Sequence, residues 1–76
     1  MLNVVEVGLR LRKKDAPTFV LEIIELVTPT GDLPHARARV SITKYDLGVR
    51  LYAVSALEDT RMFISLGSPA RHIDFH

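Results

Sequence analysis

The sequence predicts an α+β domain of the split βαβ kind, ordered strand, helix, strand, strand, helix, strand, the arrangement called ferredoxin-like. Three observations point there: stretches of two-residue alternation, two stretches of three- and four-residue apolar spacing beside helix-cap residues, and an internal match between the halves. Moving the segment from Gly8 to Pro29 along by 40 positions lays it on Gly48 to Pro69 without a gap. Of 22 pairs 7 are identical: Gly8/Gly48, Arg10/Arg50, Leu11/Leu51, Ala16/Ala56, Ile24/Ile64, Leu26/Leu66 and Pro29/Pro69. Leu9/Val49 and Ile23/Phe63 stay apolar, and Asp15/Ser55 both favour a helix N-cap. Two βα units related by an approximate twofold axis would read this way.

Val5, Val7, Leu9 and Leu11 alternate with Glu6, Gly8, Arg10 and Arg12, which is the period of a strand with one wet face. Asp15, Ala16 and Pro17 follow as an N-cap and first turn. Ala16, Phe19, Val20, Ile23, Ile24 and Val27 then recur at helical steps, opposite a stripe of Thr18, Glu22 and Glu25. A regular strand would set Glu22 and Glu25 on opposite faces and drive one into the core; a helix keeps both in water. The β-branched content of this segment pulls the other way. Thr28 to Pro34 is a turn-rich connection. Ala36, Ala38, Val40 and Ile42 alternate with Arg37, Arg39, Ser41 and Thr43 as a second strand, and a reversal over Lys44 to Gly48 leads into a third from Val49 to about Val54. Ser55 and Glu58 match a capping box for a second helix over 56–66, with Gly67 and Pro69 as its stop. The competing reading of that segment is a hairpin turning at Glu58-Asp59, with Met62, Ile64 and Leu66 on one strand face. Arg71 to His76 reads as a short closing strand. If both helical segments are strands, the same chain becomes an all-β antiparallel meander or small barrel.

The 76 residues make a single domain, 1–76, with the possible duplication 8–29 and 48–69 inside it; apolar residues are 47% of the chain and charged residues 25%, as in soluble globular proteins. So small a domain buries only ~60% of its unfolded surface, which favours self-association, with a homo-oligomer and most simply a dimer expected. There is no cysteine, which excludes disulfides, thiol nucleophiles and thiolate metal sites. A net charge of +1 argues against a general polyanion binder unless charge is segregated. No stretch approaches the ~20 apolar residues of a membrane span, and charges interrupt the first residues, so no secretory leader or membrane association is expected and a cytoplasmic location is.

On the expected fold the uncovered sheet face carries Arg10, Arg12, Arg37, Arg39 and Arg50 together with Tyr52, while Glu22, Glu25, Glu58 and Asp59 fall on the helices. Guanidinium forks suit phosphate or carboxylate, and Tyr52 could stack on a base, although RNA readers of this architecture expose two or three such rings. These six residues are the expected binding site for an anionic ligand or nucleic acid. The alternative is a solvated face whose arginine stems shield the sheet. His72, Asp74 and His76 would share one strand side, yet the outer pair would lie ~13 Å apart, too far to hold one ion, so no metal site is expected. No serine sits in a nucleophile motif, and Glu22 and Glu25 read as a solvated stripe. No catalytic residue or cofactor is assigned. The expected function is a small non-enzymatic binding or regulatory domain, self-associating, with an arginine-rich sheet face. A face-to-face dimer would bury unpaired guanidinium groups, so edge-strand pairing or helix packing suits better. The other reading is a small oligomeric enzyme with a pocket between subunits, using His35, His72 and Arg50.

Overall fold

The computed structural model describes residues 1–28 and 31–68, and within them the chain forms one antiparallel sheet. Its strands are β1 (Arg10–Lys13), β2 (Phe19–Val27), β3 (His35–Ile42), β4 (Tyr45–Ala53) and β5 (Phe63–Gly67), with one short helix, α1 (Val54–Glu58). The order across the sheet is β4-β3-β2-β1-β5, so four strands run as a meander and β5 returns beside β1. The two-helix βαββαβ arrangement is therefore corrected: the only helix among the described residues has five residues, and what forms is the antiparallel class weighed against it. The expected closing strand over 71–76 and the His72, Asp74 and His76 cluster lie outside the described residues.

A bulge explains the first reversal. In β2, Glu22 pairs with Arg39, Ile23 with Ala38 and Glu25 with Arg37, leaving Ile24 as an extra residue. That insertion returns Glu22 and Glu25 to one face without a helix, while Leu21 and Ile23 point inward, almost fully buried. A strand with one bulge imitates helical spacing over two turns. The expected second helix is cut to α1. Its N-cap residue is Ala53 with no side-chain cap bond, so the Ser55/Glu58 capping box is not made. Instead Asp59 organises the exit: its Oδ1 accepts the Arg61 amide at 2.8 Å, and its carbonyl accepts Met62 N at 3.1 Å and Phe63 N at 3.0 Å. This reverses the chain into β5.

The first strand is shorter than the alternation from Val5 implied. Gly8 has φ 95, and Leu9 N donates to Glu6 O at 3.1 Å, making a turn that holds the regular strand to Arg10 onward, although Gly8 N still donates to Ile23 O at 2.8 Å and Leu9 O accepts Ile23 N at 2.9 Å. The reversal expected over Lys44 to Gly48 is instead tight: Ile42 pairs with Tyr45, leaving Thr43 and Lys44 as the loop, with Thr43 at φ 57. The two matched segments are used differently. Residues from 8 onward supply the adjacent strands β1 and β2, whereas residues from 48 onward supply β4 and β5, which stand at opposite edges.

The core lies on one sheet face. Leu9, Leu11, Leu21, Ile23, Ala36, Ala38, Val40 and Phe63 form it, with Leu57 of α1 fully buried against them and Val5, Phe19, Tyr52 and Val54 at its margin. At ~25 cal/mol per Å² of apolar area, burying one leucine contributes about 1.5–3 kcal/mol, so Leu57 is what makes a five-residue helix worth forming. Asn3 fastens the first residues to this end. Its Nδ2 donates to Leu57 O and to Phe63 O, both at 3.0 Å, and its backbone amide donates to Glu58 O at 3.0 Å.

Candidate functional site: the outer sheet face

Residues directly opposite in an antiparallel pair share a face, so the register assigns each of the five arginines expected on the sheet. Arg10 pairs with Glu22, and Glu22 with Arg39, which in turn pairs with Val49. A second row runs Arg12, Val20, Ser41, Asp46, and a third runs Glu25, Arg37, Leu51. These rows lie opposite the core, so Arg10, Arg12, Arg37 and Arg39 do share the outer face. Arg50 and Tyr52 do not. Arg50 pairs with the buried Ala38 and Tyr52 with the buried Ala36, which puts both on the core side. The Tyr52 ring meets Phe63 edge-on at 6.4 Å, and burial raises its phenol pKa while the charge of Arg50 on the same face pulls it down.

The cause is a second bulge. Val40 pairs with Gly48 but Ser41 with Asp46, so Leu47 is extra and every later residue of β4 changes side. Without it Leu47, Val49 and Leu51 would face the core and Arg50 would stand opposite Arg37. Gly48 permits the kink with φ 87, and Asp46 Oδ1 accepts its amide at 2.7 Å.

The expected separation of charge is also corrected. Glu22 and Glu25 lie between the arginines rather than on helices. Arg37 Nε meets Glu25 Oε1 at 3.0 Å, and Arg39 Nη1 meets Asp46 Oδ2 at 3.0 Å, all four side chains being more than half exposed. The Asp46 carboxyl is held below the usual carboxylate value, first by the Gly48 amide and then by Arg39. Exposed pairs of this kind contribute about 0–1 kcal/mol each, so a competing carboxylate can displace them. Among the described residues Arg10 and Arg12 are in no ion pair, and the Arg12 guanidinium reaches only the Lys13 carbonyl at 3.4 Å. Val49 and Leu51 add exposed apolar surface beside Arg39 and Arg37. Gly48, a single glycine inside a strand, reads as a bulge or a close backbone approach, but it does not say which side the residues after it take, so the exposed apolar row was not legible beforehand.

The other candidates are thinner. A cavity of about 240 Å³ at the far end of β1 is lined by Lys13, Asp15, Ala16, Arg61, Met62 and Phe63, below the usual range of ligand pockets. Lys13 Nζ lies 4.6 Å from the Phe19 ring centroid, and Arg61 is tied to Asp59. His35, with Nδ1 2.7 Å from Leu33 O, pairs with Ala53 on the outer face and so is not brought together with Arg50. Among the described residues no group of three or more His, Cys, Asp or Glu side chains is placed to hold a metal ion, and no helix is long and apolar enough to cross a membrane. Comparison with protein-family models, with curated proteins and with solved structures finds no match.

Proposed function

We propose that the protein is a small non-enzymatic binding module whose working surface is the outer sheet face, and that its partner is a protein presenting carboxylates. The observation that carries this reading is the arginine lattice itself: four guanidinium groups on β1 and β3, the two strands flanking β2, interleaved with Glu22, Glu25 and Asp46. Alternating signs at strand spacing disfavour nucleic acid, whose closely spaced backbone phosphates would meet a carboxylate beside almost every arginine, whereas a polypeptide can set single carboxylates at the arginines alone. A protein surface of mixed charge suits it better, with Arg10 and Arg12 open to acidic groups and Val20, Val49 and Leu51 supplying apolar contact. The cytoplasmic setting expected from the sequence belongs to this proposal.

Titration of the ¹⁵N-labelled protein with polyglutamate, and separately with heparin, tests it. Amide shifts should cluster at Arg10, Arg12, Val20 and Ser41 with polyglutamate and vanish in an R10E/R12E double variant that keeps its β-sheet circular dichroism. Tighter binding of heparin than of polyglutamate, or shifts confined to the core side around Arg50 and Tyr52, would overturn the reading.

A further inference from the structure

Among the described residues β4 is an edge strand of nine residues whose outer face displays Val49 and Leu51 at 44% and 52% exposure. An unbulged register would have turned both side chains toward the core. The bulge therefore presents an apolar row beside a strand edge that is unpaired among the described residues, a combination that invites strand addition. We propose that the occupant is a second copy of this chain, its β4 running antiparallel to the first about a twofold axis at Leu51.

The limits of the edge set the register. On one side the Gly48 amide is already taken by Asp46 and the backbone turns at φ 87. On the other, Val54 opens α1 and its amide is held by Pro34 O at 3.1 Å. The regular stretch left is Val49 to Ala53, and its midpoint is Leu51. Pairing about that midpoint sets Leu51 against Leu51 of the second copy and Val49 against its Ala53 on the outer face. On the inner face it sets Arg50 against Tyr52 of the second copy, a guanidinium beside an aromatic ring, twice per dimer. Moving the axis to Arg50 would oppose two guanidinium groups. Nearby charge does not resist the approach, since Arg37 and Arg39 are matched by Glu25 and Asp46 and the whole chain carries only +1. β5, the other edge, has five residues and ends at Gly67 with φ 92, a poorer template. The pairing leaves Arg10 and Arg12 clear, three strands away, so its success or failure is read separately from that of the partner proposal.

Sedimentation velocity from about 5 to about 500 µM should show a monomer–dimer equilibrium. Leu51→Lys, which sets like charges together on the axis at a solvated position, should weaken dimerisation at least tenfold. Because the chain has no cysteine, Leu51→Cys is a clean reporter: Cα atoms directly opposite lie ~4.5–5.5 Å apart, within disulfide reach, so air oxidation should give a covalent dimer. Val49→Cys, set opposite Ala53 of the second copy, should link at least tenfold more slowly. If Leu51→Lys loses its sheet signal, the cysteine pair decides. A wild-type monomer at the highest concentration, a folded Leu51→Lys dimer of unchanged affinity, or equal linking of the two cysteine variants would overturn the proposal.

Discussion

Replacing Gly48 tests the feature that decides which side chains β4 shows to solvent. At φ 87 an L-residue is strained, yet a Cβ built there meets nothing within 4 Å, so the cost of Gly48→Ala is backbone strain alone. That strain is about 1–2 kcal/mol, and at ~4–8 °C per kcal/mol for a domain of this size it should lower Tm by roughly 4–16 °C. Gly31→Ala is the matched control, at φ 73 in equally open space but outside the sheet, and should cost a similar amount. Gly48→Val, β-branched, is harder to hold at positive φ and should push β4 into the unbulged register. Urea unfolding followed by circular dichroism reads the first effect. Cross-strand NOEs read the second, with the partner of Ala38 changing from Arg50 to Val49. A Gly48→Ala cost below about 0.5 kcal/mol, or a folded Gly48→Val that keeps the Ala38–Arg50 contact, would refute the reasoning.

Three further outcomes are expected. Asn3→Ala removes two buried side-chain hydrogen bonds at about 1 kcal/mol each, so urea unfolding should register a loss of about 2 kcal/mol against a total of roughly 4–11. Thr43→Gly relieves a β-branched residue at φ 57 while keeping the amide that donates to Thr18 O, and should stabilise by about 0.5–1 kcal/mol in the same assay. Asp46 has a depressed folded-state pKa, so its contribution is complete above the ordinary aspartate value of ~3.9 and is lost as pH falls through the lower folded value. Asp46→Asn should therefore flatten the acid limb of stability below about pH 4, read as the urea midpoint against pH.

Where the chain keeps strict alternation, the sequence was a good guide. β3 reads correctly from Ala36 to Ile42, because no insertion falls among those residues, and only Thr43, expected on the strand, lies in the turn at φ 57. β2 and β4 misled for one physical reason. A bulge adds a residue without any obligatory side-chain mark, and the extra residues here, Ile24 and Leu47, are ordinary apolar types. In β2 the bulge turned a strand into an apparent helix; in β4 it exchanged the faces and removed Arg50 and Tyr52 from the arginine surface. Only Gly48 carried a hint, since a glycine inside a strand often marks a bulge. Four of the six expected site residues were placeable because they sit on β1 and β3, where pairing is regular over those positions. The carboxylates between them were missed together with β2.

The tether at Asn3 also bears on the order in which the chain assembles. It joins residues 54 and 60 positions apart, Leu57 and Phe63, and so needs β5 already docked beside β1 before it can close. The hairpins β2–β3 and β3–β4 have only short-range closures and can form first. Asn3 is then expected to latch late in folding, so that its loss should quicken unfolding while leaving refolding nearly unchanged.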